Sequence, residues 1–87
     1  MRVISKSGEY DIPYELSVFL IDENIIWANA FGTGKIIMAQ YSSAEKAEKA
    51  MQKLHDRYEY IWECTNGFDV YYKIDTIVFR FPQDDEL

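Results

Sequence analysis

The sequence predicts an α+β fold, an antiparallel meander sheet of about five to seven short strands with one main amphipathic helix packed on it. Three observations carry this. Short β-rich runs follow one another with brief turns between them, as in Leu16 to Ile21, Ile25 to Phe31 and Lys35 to Tyr41. Such short connections join antiparallel neighbours. The segment opened by Ser42 and Glu45 has the S-x-x-E spacing of a capping box. Behind it Ala44, Ala47, Met51, Leu54, Tyr58 and Ile61 step by three and four, drawing one apolar stripe on a helix.

In chain order, Arg2-Val3-Ile4-Ser5 and Glu9-Tyr10-Asp11-Ile12 flank Gly8, which supplies the positive φ of a tight hairpin turn. Pro13 closes the second strand because it has no N–H to give to a ladder. Asp22-Glu23-Asn24 joins the next two runs, with Asn24 suited to a left-handed loop position. Gly32-Thr33-Gly34 turns the chain into the strand Lys35 to Tyr41. The helix is expected to reach about Tyr58–Trp62, although Tyr58 to Thr65 also fits a period of two. Asn66-Gly67 then precedes a strand near Phe68–Lys73. Ile77 to Phe81 is a last strand with Ile77, Phe79 and Phe81 on one face, and residues 83–87 read as a solvated acidic tail.

Residues 1–87 form one domain, which at this length buries roughly 60–65% of the surface of its unfolded chain. A content of 48% hydrophobic and 16% aromatic residues suffices for one core and leaves some for an interface. The net charge of −6 repels phosphate backbones, and Lys46, Lys49, Lys53 and Arg57 are interleaved with Glu45, Glu48, Asp56 and Glu59. Direct nucleic-acid binding is therefore not expected. No apolar run is long enough to span a bilayer, and nothing near Met1 resembles a signal peptide. Cys64 is the single cysteine, so the chain has no internal disulfide. A cytoplasmic location is expected.

Three segments carry a resemblance: Arg2-Val3-Ile4-Ser5, Gly8 and Asp11-Ile12-Pro13-Tyr14-Glu15 at the start; Tyr41-Ser42-Ser43, Glu45-Lys46-Ala47, Lys49-Ala50-Met51 and Leu54 on the helix; Phe79-Arg80-Phe81-Pro82 and Asp84-Asp85-Glu86 at the end. In this order the chain resembles a group of small proteins of phages and prophages of low-GC Gram-positive bacteria. No activity or site residue carries over from that group. The resemblance implies a bacterial host cytoplasm and an accessory role such as blocking a host defence.

Candidate chemistry is thin. Gly32-Thr33-Gly34-Lys35 lacks the first glycine and the Ser/Thr of a phosphate loop, since Asn29 and Ile36 stand there and a strand follows. His55 and Cys64 are nine residues apart on different helix faces, with no third group to orient a base, and His55 reads as a solvated histidine on the polar face. One His and one Cys cannot build a zinc site, and neither Asp22-Glu23 nor Asp84-Asp85-Glu86 has calcium-loop spacing. The sequence thus predicts no catalytic, cofactor or metal residues and no enzyme. Aromatic and acidic residues cluster from Tyr58 to Tyr72, and Tyr58, Glu59, Trp62, Glu63, Tyr71 and Tyr72 form the expected partner-binding set. The leading functional expectation is a non-enzymatic protein–protein interaction module whose partner is a host protein. The alternative is a sponge or sensor for a nucleoside-like or cationic small molecule. Edge strands pairing across a two-fold into a homo-oligomer are compatible with either.

Overall fold

The computed structural model describes residues 1–30, 32, 34–65 and 77–87, with residues 63–65 described by backbone alone. It is α+β, with the described strands in two three-stranded sheets rather than one meander. The first sheet has the order β2-β1-β6, built from β1 (Arg2–Ile4), β2 (Asp11–Pro13) and β6 (Val78–Arg80). The second has the order β3-β4-β5, built from β3 (Ser17–Asp22), β4 (Ile25–Ala30) and β5 (Gly34–Gln40). The expected antiparallel connectivity holds in the pairs β1/β2, β3/β4 and β4/β5, but β1 and β6 are parallel, with Val3 opposite Phe79. Parallel neighbours need a long crossover. The helix α1 (Ala44–Thr65) lies in that connection.

The first hairpin forms, with Arg2 opposite Pro13, Val3 opposite Ile12 and Gly8 at φ +83°, but its second strand runs Asp11–Pro13 rather than the expected Glu9–Ile12. In the second, Asp22 pairs with Ile25, so the loop has two residues, and Glu23 rather than Asn24 takes the positive φ, at +53°. Asn24 has another task. Its carbonyl accepts the Tyr41 N–H at 2.9 Å and its amide donates to the Tyr41 carbonyl at 2.8 Å, clasping the end of β5. Between Ile26 and Trp27 the β4/β5 register slips, leaving Met38 as an extra residue between Ala39 and Ile37. The Met38 side chain is buried, and its carbonyl accepts the Lys6 N–H at 2.7 Å, a backbone link between the two sheets.

The helix begins at Ala44, so Ser43 rather than Ser42 caps it, accepting the Lys46 N–H on its hydroxyl at 3.2 Å. Its buried stripe is Ala47, Ala50, Leu54 and Ile61, with Met51 and Tyr58 packed at its margin. Ala44, expected in the stripe, is exposed on the first turn. Alanines on both elements (Ala28 and Ala30 on β4, Ala47 and Ala50 on α1) are fully or almost fully buried, and such small side chains let helix and sheet approach closely. The helix continues to Thr65, past the expected end at Tyr58–Trp62. The strand anticipated near Phe68–Lys73 lies outside the described residues.

The terminal segment is not a free solvated tail. Phe81 is buried, its N–H bonds the Ile4 carbonyl, and the Tyr41 hydroxyl donates to the Pro82 carbonyl at 2.9 Å. Asp84–Glu86 then form a 3₁₀ turn in which the Gln83 N–H donates to the Glu86 carboxylate. Asp84 accepts the Ser42 N–H at 3.0 Å and its hydroxyl at 3.3 Å, and pairs with the Lys6 ammonium at 3.0 Å. The composition of 83–87 suggested solvation; the Ser42 N–H and hydroxyl and two lysines hold it instead, with Lys46 on the Asp84 carbonyl at 2.9 Å.

These contacts, the Ser42 N–H first and Lys6 next, lower the Asp84 pKa below its ordinary value. A depressed carboxylate contributes stability above the ordinary Asp range that is lost as pH falls through the lower native pKa. Asp84→Asn should therefore flatten the decline of stability below about pH 4. Urea melts at stepped pH check this, and an unchanged acid limb would show that the clasp contributes nothing.

Candidate interaction surface

The inner face of the second sheet carries Phe19, Ile26, Ala28, Ile36 and Ala39, the side packed on the core. An antiparallel sheet with one buried face ordinarily places polar residues on the other. Here the outer face reads, row by row, Val18–Asn29–Lys35, Leu20–Trp27–Ile37 and Asp22–Ile25–Gln40. The middle row is apolar on all three strands. Val18 is 60% exposed, Leu20 48% and Ile37 42%, while Trp27 is partly covered by the Lys35 ammonium, 4.3 Å from its ring centroid. Only Asp22 and Lys35 among these nine residues are charged, in a chain of net charge −6. The face is thus apolar across its middle row and close to neutral on an otherwise acidic molecule.

This surface was not among the residues singled out from the sequence. The signal was present in Val18-Phe19-Leu20-Ile21 and Ile25-Ile26-Trp27, which are apolar at both strand parities and so load both faces of a sheet.

Of the anticipated partner-binding residues, Tyr58 is half-buried, stacked on Tyr14 at 4.3 Å between ring centroids, and packs against the core. Glu59 and Trp62 lie one turn apart on α1, both exposed, Trp62 at 50%. Tyr60, 64% exposed, projects from the opposite flank of the helix. The Glu63 side chain and residues Tyr71 and Tyr72 lie outside the described residues. So the structure brings Tyr58, Glu59 and Trp62 to one end of α1 and places Tyr58 mainly in the packing.

His55 is not a simple solvated residue. Its Nδ1 lies 2.8 Å from the Tyr14 hydroxyl, and Tyr14 stacks on Phe19 as well as on Tyr58. Burial first, then Tyr58, Glu59 and Glu15, raise the Tyr14 pKa. Tyr14 therefore stays a neutral phenol at neutral pH, and the pair ties the 3₁₀ turn Tyr14–Leu16 to the helix. The Cys64 side chain, the other half of the weighed thiol–imidazole pair, lies outside the described residues. Lys35 sits on β5 over an indole ring, and the strand runs Gly34–Gln40 rather than the expected Lys35 to Tyr41.

Among the described residues no group of three or more His, Cys, Asp or Glu side chains could hold a metal. Two shallow grooves of about 340 and 450 Å³ meet at Lys6 and Gln83. The Lys6 ammonium is engaged by the Gln40 carbonyl at 2.8 Å and by Asp84, so it is already satisfied by the protein. No helix among the described residues is long and apolar enough to cross a membrane. Comparison with protein-family models, with curated proteins and with solved structures finds no match.

Proposed function

We propose that this protein is a non-enzymatic protein–protein interaction module that docks through the outer face of β3-β4-β5. The observation that carries the reading is the exposed apolar row Leu20–Trp27–Ile37, extended by Val18 and Ile25, where a one-sided sheet would be polar. Covering a half-exposed Leu, Ile or Val contributes about 1 kcal/mol each, and about 1.4 kcal/mol is tenfold in affinity. A nearly neutral face within an acidic surface suits a partner with an apolar patch rimmed by basic side chains. The resemblance to phage and prophage proteins supports a host protein as that partner and an accessory role, such as inhibition of a host defence. Glu59 and Trp62, with Tyr58, Glu63, Tyr71 and Tyr72, are a second region of contact in the same reading.

The test is a pull-down of the tagged full chain from lysate of a Gram-positive host, read by mass spectrometry. The paired substitutions Leu20→Lys and Ile37→Lys should abolish recovery of the enriched protein, and Lys49→Ala should not. A partner that survives the paired substitutions but is lost with Trp62→Ala would move the docking site to the helix flank. Recovery of no protein would overturn the module reading in favour of the small-molecule alternative.

A further inference from the structure

We propose that the outer edge of β3 pairs with the same edge of a second copy, antiparallel across a two-fold axis centred on Phe19. Among the described residues no strand lies beyond β3. In a two-residue hairpin the pair flanking the loop, here Asp22 and Ile25, exchanges both backbone hydrogen bonds. Alternation then turns the backbone groups of Leu20 and Val18 toward β4. Those of Phe19 and Ile21, and the Ser17 carbonyl, point to the open edge; the Ser17 N–H is already taken by the Tyr14 carbonyl.

The two edges of this sheet are treated differently. Sheet edges are commonly protected by lysine, proline or a bulge. The edge strand β5 carries Lys35 and the bulge at Met38, whose carbonyl is occupied by the Lys6 N–H. β3 has none of these and is apolar from Val18 to Ile21. Its inward-facing Ile21, paired with Ile26 on one side, is still 40% exposed.

The strand is also complementary to itself. With Phe19 opposite its own copy, Val18 meets Leu20 on the outer face and Ser17 meets Ile21 on the inner one. The strand's one charge, Asp22, falls opposite Leu16. Within Ser17–Asp22 no like charges face each other, so two molecules of net charge −6 meet along a strand that carries a single charge. Centring the axis on Leu20 instead would set the Asp22 carboxylate against Val18 on the outer face. The product is a continuous six-stranded sheet whose two outer faces lie edge to edge, doubling the apolar docking surface. The pairing uses the edge rather than the face and stands whether or not the face binds a host protein.

Sedimentation equilibrium of the full chain across two decades of concentration tests the proposal. The mass should rise from 10.3 kDa toward twice that value. Ile21→Lys should weaken the dimer by roughly tenfold or more. Val18→Lys, at an already exposed position, should do the same, and circular dichroism identifies any variant that fails to fold. Ile37→Lys, on the face, should leave the dimer intact. Amide exchange adds a register-specific readout: the Phe19 and Ile21 N–H groups should gain protection with concentration, while those of Val18 and Leu20 stay constant. A mass of 10.3 kDa at every concentration, or a dimer unmoved by Ile21→Lys and Val18→Lys, would overturn the proposal.

Discussion

Leu54→Ala is expected to destabilise the fold by about 2–5 kcal/mol, the range for truncating a wholly buried leucine. Leu54 is 0% exposed and belongs to the cluster that unites Val3 and Ile12 of the first sheet with Ile26 and Ala28 of the second. A cavity there opens within the buried cluster that the helix shares with both sheets. A domain of this length has a total stability of roughly 4–13 kcal/mol, so the variant should be largely unfolded at the lower end of that range. Urea denaturation followed by circular dichroism measures the loss. Leu54→Met, which conserves volume, should cost less than about 1.5 kcal/mol. Equal losses for the two variants would mean that shape rather than cavity volume controls the site.

Phe81→Ala should cost about 3–5 kcal/mol by the same cavity argument. Its ring is buried and meets Phe79 edge-on at 5.4 Å between centroids. The effect should spread further than that of Leu54, because Phe81 anchors everything after it. Beyond it come the Pro82 carbonyl that accepts from Tyr41 and the Asp84 carboxylate that holds Ser42 and Lys6. In proton–nitrogen spectra of the folded fraction, the Ser42 and Lys6 amides should shift along with residues near 81. Movement confined to Phe79 and Ile4 would show that the terminal turn holds without its anchor.

Local signals were legible where one short stretch contains both the instruction and its execution. Gly8 between two alternating runs makes a hairpin, and the spacing from Ala47 to Ile61 makes a helix face, because turn strain and helical period act over a few residues. The cap moved from Ser42 to Ser43 for a non-local reason, namely that the Ser42 N–H and hydroxyl both go to Asp84, 42 residues on. The same reach explains the terminal segment, whose acids looked solvated until Lys6, Ser42 and Lys46 were brought beside them.

The anticipated contact residues show the same division. An aromatic side chain in a small domain can serve core or interface, and only neighbours decide which. Tyr58 went to the packing because Tyr14 stacks on it, whereas Trp62 and Glu59 stay exposed. Ile37 and Leu20 are ordinary β-strand residues in the chain. They become a surface because the register sets both beside Trp27 on the side away from the helix.

The sequence by itself determined the α+β class, the antiparallel pairing of chain neighbours, the helix with its buried stripe, and the acidic charge. These follow from spacing, turn chemistry and composition, which act over a few residues or simply add. The tertiary structure alone decided that β6 lies parallel beside β1, that the terminal turn closes on Lys6 and Ser42, and which apolar side chains remain outside. Those outcomes depend on residues far apart in the chain competing for the same partners and the same limited core volume, so no local pattern contains them.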